Sequence, residues 1–200
     1  MEEVVVKYRG VIVFLSGAIA ALVVGWFLFP LALYRSEAQP MNFNHDIHTR
    51  EETGMSCDMC HEFAPDGRFK GIPVIAKCAE CHSTAIGASA NEKRLVDDFI
   101  TPNREIPWKV YSRQPDNAYF SHATHVTQGK IECPACHGPH GVDSTLRPYQ
   151  VNRISGYSRD VWGPNISGIP SEPWQGMKMD RCVRCHAEQD RVDGCVACHK

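Results

Sequence analysis

The chain has 200 residues, a length for one or two domains, and its 21 basic and 23 acidic residues leave a net charge of −2. A balance so near neutral excludes the strongly basic character of a nucleic-acid binder and gives no hint of an acidic partner. The unusual part of the composition is its ten cysteines and ten histidines.

Taken in chain order, the first feature is Val11 to Leu33, an uncharged apolar run of 23 residues. About 20 such residues span a bilayer as a helix. Tyr8 and Tyr34 stand at its two ends, where amphipathic rings favour the interface, and Lys7 and Arg9 outweigh Arg35 on the far side. This asymmetry predicts a cytoplasmic amino terminus in a bacterial inner membrane, with the remainder on the periplasmic side. A cleaved signal peptide competes, because Ser36, Glu37 and Ala38 put small residues near a cleavage position. The apolar run exceeds the usual h-region, so a retained anchor over residues 1–35 is expected. Within it Gly17, Ala21 and Gly25 recur every four residues, either a stripe for close helix packing or the ordinary abundance of small residues in membrane helices.

Next comes FNHDIH at 43 to 48, followed by Cys57 to His61 (CDMCH) and Cys78 to His82 (CAECH). Residues 91–100 (NEKRLVDDFI) read as a short helix capped by Asn91. FSHATH at 120 to 125 repeats the paired-histidine pattern and precedes Cys133 to His137 (CPACH), then Cys182 to His186 (CVRCH) and Cys195 to His199 (CVACH). Between them, 146 to 180 is rich in Pro and Gly, yet its Tyr149, Tyr157, Trp162 and Trp174 argue against disorder and suit a partner surface, with a solvated loop as the alternative. The pattern is a weak internal repeat: a first module over 36–118 with two motifs and a second over 119–200 with three.

All ten cysteines fall in these five C-x-x-C-H copies. That motif attaches haem c: Cys57, Cys60, Cys78, Cys81, Cys133, Cys136, Cys182, Cys185, Cys195 and Cys198 would form thioethers, and His61, His82, His137, His186 and His199 would be the proximal ligands. Zinc binding, a redox C-x-x-C pair and structural disulfides are the other readings. They do not explain a histidine in the fifth place every time.

Five histidines remain, His45, His48, His122, His125 and His140, one for each iron. Their placement in two pairs ahead of haem motifs, and three residues after His137, predicts distal ligation, so that every iron is six-coordinate. Phe43 and Phe120 would pack on a porphyrin face or in an ordinary core. With about 33 residues per macrocycle, the chain is too short to build a usual core around five haems. The expected fold is a multihaem cytochrome c: mostly irregular, with short α-helices wrapped around haems that supply the buried surface. Haem-free chain should not fold.

FxHxxH ahead of CxxCH resembles the small class III multihaem cytochromes. The resemblance implies that His45 serves the haem of Cys57 and Cys60, and His122 that of Cys133 and Cys136. His48 and His125 would reach other haems, those of Cys78 and Cys81 and of one carboxy-terminal site, and His140 another in the second module. With its single anchor, the chain is also similar to the pentahaem cytochrome subunit of alternative complex III and to the multihaem subunit of the related menaquinone reductase complexes. That likeness implies an electron-transfer subunit of a quinol-oxidising complex, not an enzyme on its own. Its partners would be iron–sulfur and polytopic quinol-site subunits, with a soluble cytochrome, copper protein or oxidase as acceptor. Stand-alone anchored quinol dehydrogenases are the rival; their first motif resembles CxxCHxM, whereas Phe63 stands two residues after His61 here. Met55, Met59, Met177 and Met179 read as packing residues, or one of them as an axial ligand that would raise a potential. A haem enzyme with one open iron is disfavoured by the equal numbers of irons and spare histidines.

Overall fold

The computed structural model of the protein describes residues 2–110, 114, 116–154, 179–191 and 194–199, of which 2–7, 30, 31 and 150 are described by their backbone alone. The chain begins with helix α1 (Glu2–Val23), continues through a wider π-helical turn at Val24–Leu28, and ends this rod with α2 (Phe29–Leu33). The widening has a local cause: Pro30 has no N–H to give to the carbonyl four residues back, and the ladder ahead of it shifts, with the Phe29 N–H bonding to Val24 O. Tyr8–Leu28 is long and apolar enough to cross a membrane, and its apolar side chains are exposed among the described residues.

The rod ends at Tyr34, which turns extended (φ −104°, ψ 141°) and starts strand β1 (Tyr34–Glu37). β1 pairs antiparallel with β2 (Tyr149–Asn152) in the register Tyr34↔Asn152 to Glu37↔Tyr149. Residues 149–152 are therefore a strand inside the stretch that reads as irregular; Tyr157, Trp162, Trp174 and Met177 lie outside the described residues. Lys109 fixes the joint further. Its ammonium pairs with Glu37, and the Gln39 amide donates to Lys109 O (2.9 Å) and accepts from its N–H (3.0 Å).

Beyond the joint come short helices on long connections: α3 (His45–Thr49), α4 (Cys57–Cys60), α5 (Ile75–His82) and α6 (Ala90–Leu95), which continues as a π-helical turn over Val96–Ile100. α6 starts one residue earlier than its sequence predicts. The cap is Ser89, whose hydroxyl accepts from Glu92 N–H, while Asn91 reaches out to Asn42 O at 2.6 Å. A π-helical turn (Ala123–Gln128), α7 (Cys133–His137), a 3-10 turn (His140–Val142), α8 (Met179–Glu188) and α9 (Cys195–Cys198) complete the described elements.

Between α4 and α5 lies a tight hairpin. Ala64 N–H bonds to Arg68 O and Lys70 N–H to Glu62 O, with Phe63 opposite Phe69. Pro65 and Asp66 enter the turn and Gly67 closes it at φ 82°, a conformation that costs glycine little.

The polypeptide core is small: Met41, Ile75, Phe99 and Ile106 are buried, with Cys78, Leu95, Ile100 and Trp108 packed against them. Among the described residues no side chain is completely buried. The core sits under α5 and so steadies the second C-x-x-C-H motif.

Candidate metal centres

Each C-x-x-C-H motif lies on a helical turn, which brings its two cysteines, three apart, onto one face and sets the histidine at or just past the end. None of the ten cysteines is in a disulfide. Burial pushes the Cys60, Cys78, Cys133, Cys136 and Cys182 thiols above their ordinary pKa. Among the described residues no group of three or more His, Cys, Asp or Glu gathers as a metal cluster.

The histidines instead meet in twos. His48 faces His82 with ring centroids 6.2 Å apart, His122 faces His137 at 6.3 Å, and His125 faces His186 at 6.0 Å. Two imidazoles bound to one metal through nitrogens at about 2 Å each hold their centroids about 6 Å apart. The three gaps fit an iron between two imidazoles, and this is the fit a haem with two axial histidines requires.

His45 lies on α3 near His61 and His140, and its Nδ1 is buried without a hydrogen-bond partner. His140 is set beside His45 and His137, in a turn held to α3: Asp143 O accepts from His45 and Asp46 N–H, and the Thr49 hydroxyl donates to Gly141 O. Among the described residues no spare imidazole faces His199.

Ring orientation is set by the second nitrogen. Nδ1 of His48 bonds to Asn44 O (2.7 Å), of His61 to Gly71 O (3.0 Å), of His125 to Ser121 O (2.8 Å) and of His199 to Asn117 O (3.3 Å). Two rings use carboxylates: His82 Nδ1 lies 2.9 Å from Glu92 Oε1, and His140 Nδ1 lies 3.2 Å from Asp143 Oδ2. These contacts leave Nε2 as the ligating atom and raise its basicity. Burial, the largest cause in each case, holds His45, His122, His137 and His140 below the ordinary imidazole pKa. Imidazole binds metal in that neutral form.

Phe43 and Phe120 pack on their own histidines: Phe43 stacks on His48 at 4.5 Å and meets His45 edge-on, and Phe120 stacks on His125 at 4.5 Å and meets His122 edge-on. Two supporting residues were not singled out from sequence. Phe69 stacks on His122 at 4.2 Å; the signal was Phe-Ala-Pro-Asp-Gly-Arg-Phe, a turn between two aromatics. For Glu92 the signal was Ser89-x-x-Glu92, a capping-box spacing whose carboxylate is turned to His82.

Residues 31–104 match the class III cytochrome c family. Over 94% of its length the chain is 35% identical to the menaquinone reductase multihaem cytochrome c subunit of Nitratidesulfovibrio vulgaris (strain Hildenborough), covering 89% of that protein. Five C-x-x-C-H turns, imidazoles facing at an iron's span and this extended likeness agree: the chain belongs to the family of multihaem cytochrome c subunits with class III haem modules, electron-transfer proteins that carry covalent haem c.

Proposed function

We propose that the protein is a pentahaem cytochrome c, anchored by its apolar helix, that relays electrons for a membrane quinone oxidoreductase complex. The anchor is residues 1–35; a two-haem module (36–118) and a three-haem module (119–200) follow on the periplasmic side. Haem c supplies reversible one-electron iron chemistry. The chain's ten motif cysteines hold five such groups, with His61, His82, His137, His186 and His199 proximal and His45, His48, His122, His125 and His140 distal. The observation that carries this reading is the spacing of three histidine pairs at 6.0 to 6.3 Å. With both axial positions taken by imidazole, the sites pass electrons and do not bind small substrates.

Iron–sulfur and polytopic subunits would form the quinone site, since this chain offers one membrane-length helix among its described residues. In the first reading electrons leave quinol and pass outward to a soluble cytochrome, copper protein or oxidase, as in alternative complex III. A second reading is favoured by the relative's name, menaquinone reductase: the same relay running inward, from a periplasmic donor to menaquinone.

Mild solubilisation of the native membrane, followed by mass analysis, tests the assembly. A chain carrying five haem masses and co-purifying with iron–sulfur and polytopic subunits is expected. A monomer with the full electron-transfer activity would refute it. Assay of that complex with menaquinol and with menaquinone plus a reduced soluble cytochrome separates the two directions.

A further inference from the structure

We infer that the β2 arm, which ends in Arg153 and Ile154, is a second membrane contact. It meets the outer end of the apolar rod inside the headgroup layer, with the Ile154 side chain at the acyl boundary and the Arg153 guanidinium at phospholipid phosphate. This surface rests on the anchored reading above and goes beyond it, because an anchor by itself leaves the haem modules free to stand off the bilayer.

The height of the arm follows from the length of the rod. Helical backbone runs through α1, the π-helical turn and α2 to Leu33, and every residue between Arg9 and Arg35 is uncharged. The 24 residues from Gly10 to Leu33 rise roughly 1.5 Å each, about 36 Å in all. A hydrocarbon core is about 30 Å thick, and about 40–45 Å with its headgroups. Even tilted by about 20° the rod projects about 34 Å, so with Arg9 at one interface its Leu33 end lies in the headgroup layer of the other. There the Leu33 carbonyl accepts the Arg153 N–H at 2.9 Å. Residue 153, remote in sequence, is thereby held where the rod leaves the hydrocarbon.

The side chains of the arm suit that layer. Ile154 is 81% exposed, and Arg153 beside it is exposed too. A single exposed apolar residue has no meaning in water, but at the acyl boundary its burial is favourable, and the neighbouring guanidinium can fork onto phosphate. The turn is fixed in place: buried Asn152 accepts the Ile154 N–H at its Oδ1 (2.8 Å) and stands in register with Tyr34. Tyr34 is itself buried, so the ring that the sequence offers to the outer interface is folded into the joint, and the contact falls to the arm. Lys109 and Gln39 hold β1 from the first module while β2 holds it from the second, which ties the rod to both. The occupant is lipid because the arm continues a surface that already faces lipid: Phe27, Leu28 and Phe29, the last apolar side chains below the joint, are all exposed.

The test uses full-length holoprotein in nanodiscs of phosphatidylethanolamine and phosphatidylglycerol. With the motif cysteines bound to haem, Ile154→Cys offers one thiol for a nitroxide, whose collisions with lipid-soluble oxygen and with a water-soluble nickel chelate report depth. The label should lie at the level of the phosphates or just below, rich in oxygen collisions and poor in nickel ones. Free access of the nickel chelate would overturn the contact, and protection from both reagents would overturn it in favour of a protein cover. Adding Arg153→Glu should shift the label toward water; an unmoved label would remove the part of Arg153. A nitroxide at Leu22→Cys separates the two readings. If it is open to the nickel chelate, the anchor itself falls, whereas a deep Leu22 label with a water-exposed Ile154 label removes the arm's contact alone. Should the cysteine variants fail to load haem, unaltered protein in nanodiscs containing a phospholipid with a photoreactive headgroup decides. Cross-links on residues 149–154 are expected, and cross-links confined to the rod would overturn the proposal.

Discussion

Glu92 Oε1 sits 2.9 Å from His82 Nδ1 while the same carboxylate accepts the N–H groups of Ile86 (2.7 Å) and Gly87 (2.8 Å). Those two backbone donors, with His82, hold its pKa below the ordinary carboxylate value, so the group beside the imidazole is an anion. In the proposed haem site, drawing the Nδ1 proton toward Glu92 would make His82 a more electron-rich ligand and favour the ferric state of its iron. The carbonyl partners of His48, His61, His125 and His199 are neutral and do this less.

The Glu92→Gln variant keeps a hydrogen-bond acceptor and removes the charge. Its midpoint potential should rise at one site only, by about 1–2 kcal/mol, or about 40–90 mV for one electron. Spectroelectrochemical titration of the holoprotein reads this directly. A titration identical to that of the parent protein would remove the special role of Glu92.

The three facing histidine pairs differ in the angle between their rings: 4° for His122 and His137, 26° for His125 and His186, 58° for His48 and His82. Near-parallel axial planes split the iron d-orbitals more than crossed ones do. Low-temperature electron paramagnetic resonance should therefore assign the largest g-value of the three to the His48/His82 site. A His48→Met variant should abolish that signal and raise one potential, methionine being the weaker donor. Loss of a different signal would break the pairing.

Phe99 is 4% exposed, packs with Met41, Ile75 and Ile106, and carries the Arg104 guanidinium 5.0 Å over its ring. In a core this small there is little to close over a gap. Phe99→Ala should cost about 3–5 kcal/mol, measured by denaturant unfolding of the holoprotein followed by circular dichroism. Because α5 rests on this core, the second site should be the first to show altered spectra.

The Glu37 carboxyl is held below its usual range by its hydrogen bond from Lys109, with Arg35 adding to it. A folded-state pKa below the unfolded one contributes stability that is complete above the unfolded value and lost as pH falls through the folded value. Amide exchange of β1 and β2 should stay slow from neutral pH into mild acid and quicken only in strong acid. In Lys109→Ala, protection at neutral pH should already be lower, and its dependence on acid should shrink to the part that Arg35 supplies. Exchange indifferent to Lys109 would show that the strand pairing alone carries the joint.

How much of this could be read from residues alone follows from range. The C-x-x-C-H turns and the apolar rod are local patterns, and the structure has helical turns at all five motifs and a continuous helix through Val23. Pairings across the chain were not legible. Tyr34 meets Asn152 through strand register and Lys109 meets Glu37 through a side-chain ion pair, neither of which a Pro- and Gly-rich sequence advertises. Phe69 looked like one aromatic among several because its partner, His122, is in the other half. The cap moved from Asn91 to Ser89 because either residue can cap, and Asn91 has a distant acceptor in Asn42.

Phe43 lies on His48 much as Phe120 lies on His125, at the same 4.5 Å and with ring angles of 19° and 24°. The repeated building block is a turn whose two histidines look in different directions. Loss of either turn would strip a ligand from two neighbouring irons at once, so a relay made this way grows or shrinks in twos. In the proposed relay of five, the turns account for two doublets, and the carboxy-terminal site is a single addition whose helix reaches back through Cys198 O to the Tyr119 N–H just ahead of the second turn. It is the one site that could have been gained, or could be removed, without taking a neighbour with it.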